Sequence, residues 1–400
     1  TPVPPMVPAG SPLPAGFEAE SPLGDPIEKV EGAVQASGEV LYTADLPKPS
    51  DTLHAAPAVV GPGDVGKTIV SIDASAATAV PGVFGFIAAE DVASVGASNF
   101  VAVGAAMPLG HIFAAVVTEY VGQFVGLVLA NKFDVANRAA KLVVVHYSAE
   151  APDVSHKGYH VPTIAYTKVA GPEHGLPVRA PPTGQPLADV SGTISTTGQK
   201  HFFLETQVTF AVPGADGQLT VQCASQAIQA LKKTVATTLN KDLAKVTVTT
   251  TQIGGAYGGK AYLPVSVACA VSVAAIKVNR PVLCQLDRNI DMLSLGGRAP
   301  ASADFSLSID TGSKKLSSLV LTATVDCGCN SSGSVNTTSL NCYVVPGARL
   351  SKKNLITPTP VNTIMRAPGD FQGAFFMEGA MEAAARTCLL QNALPLDDAR

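Results

Sequence analysis

The feature that most constrains this chain is the stretch Gln252-Ile253-Gly254-Gly255-Ala256-Tyr257-Gly258-Gly259-Lys260-Ala261. Four glycines fall within six residues, between a β-branched run, Val246 to Thr251, and a small-residue apolar segment, Val265 to Ile276. Glycine loses more backbone entropy on folding than any other residue, so a cluster is worthwhile only where φ > 0 or close backbone approach is required. A strand, a glycine turn and a helix start in that order leave N–H groups pointing outward, a natural seat for an anion or a cofactor. A tight structural turn would use the same glycines, and the loop alone does not separate the two readings.

The 400 residues are 46% hydrophobic, ample for a large core, and the length predicts two or three domains. Charged residues make up 14%, the net charge is −4 and no basic block occurs. Nucleic-acid binding is thereby disfavoured, because it needs clustered Lys and Arg to displace counterions. The longest apolar run, Val265 to Ile276, is shorter than the roughly 20 residues of a membrane span. The start, Thr1-Pro-Val-Pro-Pro-Met-Val-Pro, has neither an initiator Met nor a signal-peptide pattern and reads as a processed, partial or internal beginning.

The seven cysteines (223, 269, 284, 327, 329, 342 and 388) form no Cys-x-x-Cys pair. Zinc and iron–sulfur sites need closer-spaced ligand sets, so no metal site is assigned to the protein's own side chains. Most of these cysteines lie in apolar runs and read as buried small hydrophobes, with reduced thiols that fit a cytoplasmic protein. His54, His111, His146 and His201 are isolated in sequence and read as structural or surface residues. Asn330-Ser-Ser and Asn336-Thr-Thr match the glycosylation pattern, a triplet that arises often by chance.

Residues 1–30 hold eight prolines and read as an extended arm. Residues 31–155 alternate β-rich runs with Pro/Gly/Asp turns, predicting strands at Gly38–Tyr42, His54–Val60, Thr68–Asp73, Val83–Ala88 and Phe124–Ala130. A helix from Phe133, capped by Asp134, leads into a strand at Leu142–Tyr147, which together predict an α+β domain. The polar, proline-rich stretch 156–190 reads as a linker.

Residues 191–400 predict a second domain. Strands at 192–197, 207–211 and 218–223 precede Ser225, read as the N-cap of a helix with Ile228, Leu231, Val235 and Leu239 on one face. Strands at 281–286, 303–309 and 317–326 follow the glycine loop. A long helix is predicted from Phe371 to Leu390, with a Pro368-Gly369 turn and Asp370 as cap. Arg366 just ahead of that helix start suits an anionic ligand held between guanidinium and helix end, or else a salt bridge to a nearby carboxylate.

The motifs in order resemble the molybdenum-cofactor region of the xanthine dehydrogenase/aldehyde oxidase family. The resemblance runs from about Val30 to the C-terminus. It is carried by Gly38-Glu-Val-Leu-Tyr-Thr-Ala-Asp-Leu-Pro, Val121-Gly-Gln-Phe-Val-Gly, His201-Phe-Phe-Leu-Glu-Thr, Cys223-Ala-Ser-Gln226 and Gly254-Gly-Ala-Tyr-Gly-Gly-Lys260. It continues through Asp287-Arg-Asn-Ile-Asp-Met, Gly296-Gly-Arg and Met365-Arg-Ala-Pro-Gly-Asp-Phe-Gln-Gly. The Lys-Ala end of the loop and the Met-Arg-Ala-Pro-Gly form are closer to the aldehyde oxidase branch.

The resemblance implies an α+β chain: a hammerhead-like α+β domain followed by a molybdopterin-binding α/β domain. It implies hydroxylation of an aldehyde or N-heterocycle by water at a molybdenum ion held by a pterin dithiolene. Electrons would leave through iron–sulfur clusters and FAD on other domains or partner subunits, and the family forms homodimers. Gln226 matches the glutamine near the molybdenum, and its amide can donate to an oxo group. Gly254, Gly255, Ala256, Tyr257 and Gly258 match the loop packed against the metal centre, and Arg366 matches the arginine beside the pterin.

Ala261, Ser334 and Pro368 fall at the substrate pocket. Ala261 replaces a glutamate of the xanthine-type enzymes, and Gly333-Ser334-Val335 lacks their arginine. A purine would leave polar groups unpaired there, which is costly in a dry pocket, so xanthine is disfavoured. The family's general-base glutamate belongs to a later segment, and Leu394 to Arg400 resembles an internal family segment, so a longer chain is expected. Two readings follow: one part of a molybdopterin-dependent hydroxylase, or an inactive relative kept as a structural subunit.

Overall fold

The structure is a computed structural model that describes residues 26–104, 107–148, 166–168, 187–310, 312–313, 315–330, 340–345 and 347–392. Residues 1–41 and 42–400 are two separate compact units. The described part of the first holds a short helix, α1 (Gly32–Ser37), ended by Gly38 at φ 79°. The expected strand at 38–42 is absent: Tyr42 makes only an isolated parallel bridge to Gln252. The remainder of the proline-rich arm lies outside the described residues.

The second unit begins with β1 (Leu53–Val59), β2 (Ile69–Asp73), α2 (Ser75–Thr78), β3 (Val83–Ala88), α3 (Ala89–Ser94), β4 (Phe100–Val103) and β5 (Met107–His111). It continues with β6 (Phe124–Ala130), α4 (Phe133–Ala140), β7 (Val144–Tyr147), β8 (Tyr166–Lys168), β9 (Leu187–Thr196), β10 (Val208–Pro213) and β11 (Leu219–Cys223). Then come α5 (Ile228–Thr238), β12 (Val246–Thr249), α6 (Gly259–Val278), β13 (Val282–Gln285) and α7 (Arg288–Ser294). The last elements are β14 (Ala301–Asp310), β15 (Lys315–Asp326), β16 (Gly347–Leu355) and α8 (Asp370–Asn392).

Helices and mixed sheets give the expected α+β class. A seven-stranded sheet has the order β12-β11-β10-β13-β1-β6-β3. The short parallel pairing of β1 with β13, Leu53 opposite Val282 and His54 opposite Leu283, joins strands from residues 53–130 to strands from residues 208–285. All seven residues of β6 are buried, as an interior strand covered on both faces requires.

The second sheet, β8-β16-β15-β14-β9, shows the other pattern. Along β14, Ala301, Ala303, Phe305, Leu307 and Ile309 are buried and alternate with Ser302, Asp304, Ser306, Ser308 and Asp310. That period of two puts one face on the core, where α8 packs through Phe376, Met377, Ala380 and Ala384. β8 falls inside the stretch expected to be a linker, and most of the rest of that stretch is outside the described residues.

Three cap assignments differ from expectation. The N-cap of α4 is Lys132, without a side-chain bond, and Asp134 stands in the first turn, 3.6 Å from Arg138. The N-cap of α5 is Ala227, whose N–H donates to Ser225 Oγ at 3.1 Å, so Ser225 acts from two residues upstream. Asp370 is in the first turn of α8.

The apolar segment after the glycine loop is longer than its hydrophobic run, because α6 starts at Gly259 and spans 20 residues. Its length and hydropathy would allow it to cross a bilayer, yet 15 of its residues are buried in the protein. It is the central core helix, packed with α5 against the large sheet. Cys223, Cys269 and Cys284 sit in this core, and burial pushes their thiols up to about 12.

The close packing around β6 makes a prediction. A Cβ at Gly126 would lie 2.2 Å from Phe86 Cζ and 2.6 Å from the Ile87 carbonyl oxygen, whereas one at Gly85 on β3 meets nothing within 4 Å. Gly126→Ala should cost about 2–4 kcal/mol of stability and Gly85→Ala less than about 1 kcal/mol, measured as urea midpoints. Equal midpoints for the two variants would contradict this packing.

Candidate functional site

Three segments far apart in sequence meet at the glycine loop. The β11–α5 turn carries Gln226, the β12–α6 turn is the loop itself, and the stretch between β16 and α8 carries Arg366. The Gly258 N–H donates to Gln226 Oε1 at 3.0 Å, and the Arg366 N–H donates to the Tyr257 carbonyl at 2.8 Å. The residues expected from sequence at the cofactor are therefore neighbours.

The loop has its shape for physical reasons. Gly255 and Gly258 have φ of 91° and 95°, which side chains rarely adopt, and Tyr257 takes φ 50° between them. A Cβ at Gly254 would sit 2.5 Å from Glu205 Cβ, and one at Gly258 would sit 2.8 Å from the Ile364 carbonyl oxygen. At Gly259 a Cβ would meet the His201 ring at 2.7 Å. The loop is thus pressed on one side against residues 201–205 and 364–365.

Beneath it lies a buried ion pair. Lys260 Nζ, fully enclosed, is 2.6 Å from Glu205 Oε2 and 4.8 Å from the centre of the Phe203 ring. Burial lowers the Lys260 pKa, opposed by the hydrogen bond and charge of Glu205. The same Oε2 accepts the Gly254 N–H at 2.9 Å, while Glu205 Oε1 is buried with no hydrogen-bond partner among the described residues.

His201 is buried, and burial first, with Lys200 and Arg298 adding to it, lowers its pKa against the opposing Ile364 hydrogen bond. The neutral ring then donates from Nε2 to the Ile364 carbonyl at 2.9 Å, which fixes the tautomer. Arg298, also buried, donates to the Arg366 carbonyl at 2.6 Å and the Ala367 carbonyl at 3.3 Å, with its guanidinium over the Phe371 ring. These contacts hold Ala367 at φ 56° and present Arg366 and Pro368 at the surface.

The upper side of this arrangement is rich in donors. Gln226 Oε1 is taken by the Gly258 N–H, and its amide NH2 has no hydrogen-bond partner among the described residues. Among the described residues the N–H groups of Ala256 and Tyr257 have no partner, and the exposed Arg366 guanidinium has no ion pair. Backbone donors, one amide and a guanidinium suit oxo, pterin or phosphate oxygens. Among the described residues no three His, Cys, Asp or Glu side chains converge as a metal set, so a metal here would arrive on its own organic ligand.

The pocket residues are less connected. Ala261 is buried in the first turn of α6, and Pro368 is exposed between Ala367 and Gly369. Ser334 lies outside the described residues. Glu205, Lys260 and Arg298 were not expected as site-forming residues. The available signal was a lone lysine between a glycine cluster and an apolar segment, a place where a charge needs a buried partner.

Comparison with known proteins places two regions of the chain in known families. Residues 184–393 match the family model of the molybdopterin cofactor-binding domain. Residues 37–151 match that of the aldehyde oxidase and xanthine dehydrogenase a/b hammerhead domain. An indole-3-acetaldehyde oxidase of Zea mays is 31% identical over 386 residues, covering 92% of this chain and 28% of that protein. A xanthine dehydrogenase of Drosophila pseudoobscura pseudoobscura is 30% identical over 389 residues, covering 92% and 28%.

Among solved structures, the aldehyde oxidoreductase of Desulfovibrio gigas superposes with a TM-score of 0.75 at 21% identity, over 93% of this chain and 42% of that one. CO dehydrogenase of Oligotropha carboxidovorans gives 0.77 at 19%, over 94% and 49%. The chain spans under a third of the length of the curated relatives it matches. With both family models matched in order and the donor cradle in place, the chain belongs to the aldehyde oxidase and xanthine dehydrogenase family, of which it carries the hammerhead and a molybdopterin cofactor-binding domain.

Proposed function

We propose that this chain forms one wall of the molybdopterin site of a hydroxylase that oxidises an aldehyde or N-heterocycle, as part of a longer chain or a complex. The observation that carries the reading is the meeting of Gln226, the glycine loop and Arg366 through the 3.0 Å and 2.8 Å hydrogen bonds described above. The residues fit the group in their chemistry: among the described residues the Ala256 and Tyr257 N–H groups have no partner, and with the Gln226 amide and the exposed Arg366 guanidinium they are all donors. When bound, the molybdenum–pterin cofactor supplies two-electron redox chemistry and oxygen transfer from water.

This chain's own part is positioning and electrostatics. The Gln226 amide, held by the Gly258 N–H, offers a preoriented donor to an oxygen of the reacting group. The Arg366 guanidinium offers two parallel donors and a fixed charge to an anionic part of the cofactor. Ala261 places a methyl where xanthine-type relatives carry a carboxylate, so that position offers no acceptor to a purine, which suits an apolar aldehyde or heterocycle. Electrons leave through iron–sulfur and flavin groups carried elsewhere in the enzyme, and we place that enzyme in the cytoplasm as a homodimer.

The direct test is metal and pterin analysis of the native full-length protein or complex. About one molybdenum per chain is expected, and its consistent absence from intact material favours the structural-subunit reading instead. Gln226→Ala should retain molybdenum while kcat falls by about 10- to 100-fold, the loss of one oriented donor to the reacting group. A variant with unchanged kcat removes Gln226 from the reaction.

Gly258→Ala tests the cradle. Left-handed strain and the clash with the Ile364 carbonyl should force the loop away from the Arg366 segment, at a cost of about 1–3 kcal/mol. Molybdenum content should drop severalfold at a temperature where the protein stays folded. Full occupancy in folded Gly258→Ala protein contradicts the role given to this loop.

A further inference from the structure

Pro264 stands inside α6, five residues after its first residue, and is buried. In a regular helix the N–H of residue 264 would donate to the carbonyl of Lys260, and proline has no N–H to give. The Lys260 oxygen instead accepts the Gln226 N–H at 2.8 Å and the Ser225 hydroxyl at 3.3 Å. The gap that proline leaves in the helix is therefore where the β11–α5 turn is anchored.

The side chain of the same lysine points to a different partner. Its ammonium pairs with Glu205, whose Oε2 also takes the Gly254 N–H and whose own N–H donates to the Gly254 carbonyl at 3.1 Å. Lys260 thus ties the start of the glycine loop through its side chain and Gln226 through its backbone. Gln226 closes the circuit by accepting from Gly258.

We propose that Lys260, with its carbonyl freed by Pro264, is the positioning residue that sets the Gln226 amide against the glycine loop. The proposal deepens, and for its catalytic readout rests on, the cofactor-site reading above. It separates two roles that usually coincide in a buried charged residue. A purely structural lysine would serve α6 stability alone, whereas a positioning lysine should be sensitive to competition for its carbonyl.

Pro264→Ala supplies that competition in the full-length protein. The variant returns an N–H to the interior of α6, a change that favours the helix, so the melting temperature should hold or rise. The new N–H competes for an oxygen that already accepts two hydrogen bonds. The backbone N–H of Gln226 should then exchange with deuterium about tenfold faster, the scale of one hydrogen bond, with residues 267–275 of α6 unchanged. Unchanged exchange at Gln226, or faster exchange throughout α6, overturns the proposal.

Kinetics give a second readout. In molybdenum-loaded protein kcat should fall by roughly 5- to 10-fold with KM within about twofold, and Pro264→Ala should have no further effect in a Gln226→Ala background. Additive losses would show that Pro264 and Lys260 do not act through Gln226. If the native protein holds no molybdenum, the cofactor-site reading fails, and the hydrogen-exchange comparison still decides this one.

Discussion

The site depends on a lysine ammonium that has no contact with water. An isolated charge in that position would be prohibitively costly, so Lys260 and Glu205 can only be buried together, 2.6 Å apart. A buried pair of this kind adds little net stability compared with two apolar residues, but it is exacting about geometry. Here that geometry is transmitted to Gly254 through the second bond on Oε2 and to Gln226 through the lysine carbonyl. The loop's left-handed residues persist because this layer over-determines them.

The layer is built from both sides of the loop. His201, Phe203 and Glu205 come from the segment before β10, and Ile364 to Ala367 from the segment before α8. They are joined by the His201–Ile364 hydrogen bond and by Arg298, which ties Gln199 to the carbonyls of Arg366 and Ala367. The neutral state of His201 suits this junction, since a third positive charge beside Lys200 and Arg298 would be repelled by both. Carbonyl acceptors, one neutral imidazole and one guanidinium therefore join the two segments where the backbone turns too sharply to pack side chains.

Much of this was legible from residue order, and the exceptions share a cause. β3 and β6 begin and end where their apolar runs do, because both the pattern and the turns flanking them are local. β16 carries Ser351, Lys352, Lys353 and Asn354 in its middle and has no apolar signature; parallel pairing with β15 makes it a strand. Gln226, the loop and Arg366 were recognisable as motifs, yet nothing local tells that Lys260 needs Glu205 or that Pro264 frees the Lys260 carbonyl for Gln226, which precedes that lysine by 34 positions. Those are long-range satisfactions of buried polar groups, which periodicity does not encode.

The same division separates what is rigid from what can bind. Lys260, Glu205, His201 and Arg298 are enclosed, whereas Gln226, Tyr257, Arg366 and Pro368 are exposed directly above them. An exposed amide or guanidinium exchanges a ligand for water at little gain, because the surrounding dielectric is high. For these donors to discriminate between a ground state and a transition state, water has to be removed from their outer side. The described residues supply a preorganised floor for that event: the direction of each donor is already fixed by atoms that no solvent reaches. A covering layer then needs only to lower the dielectric, without reorganising the groups that do the binding.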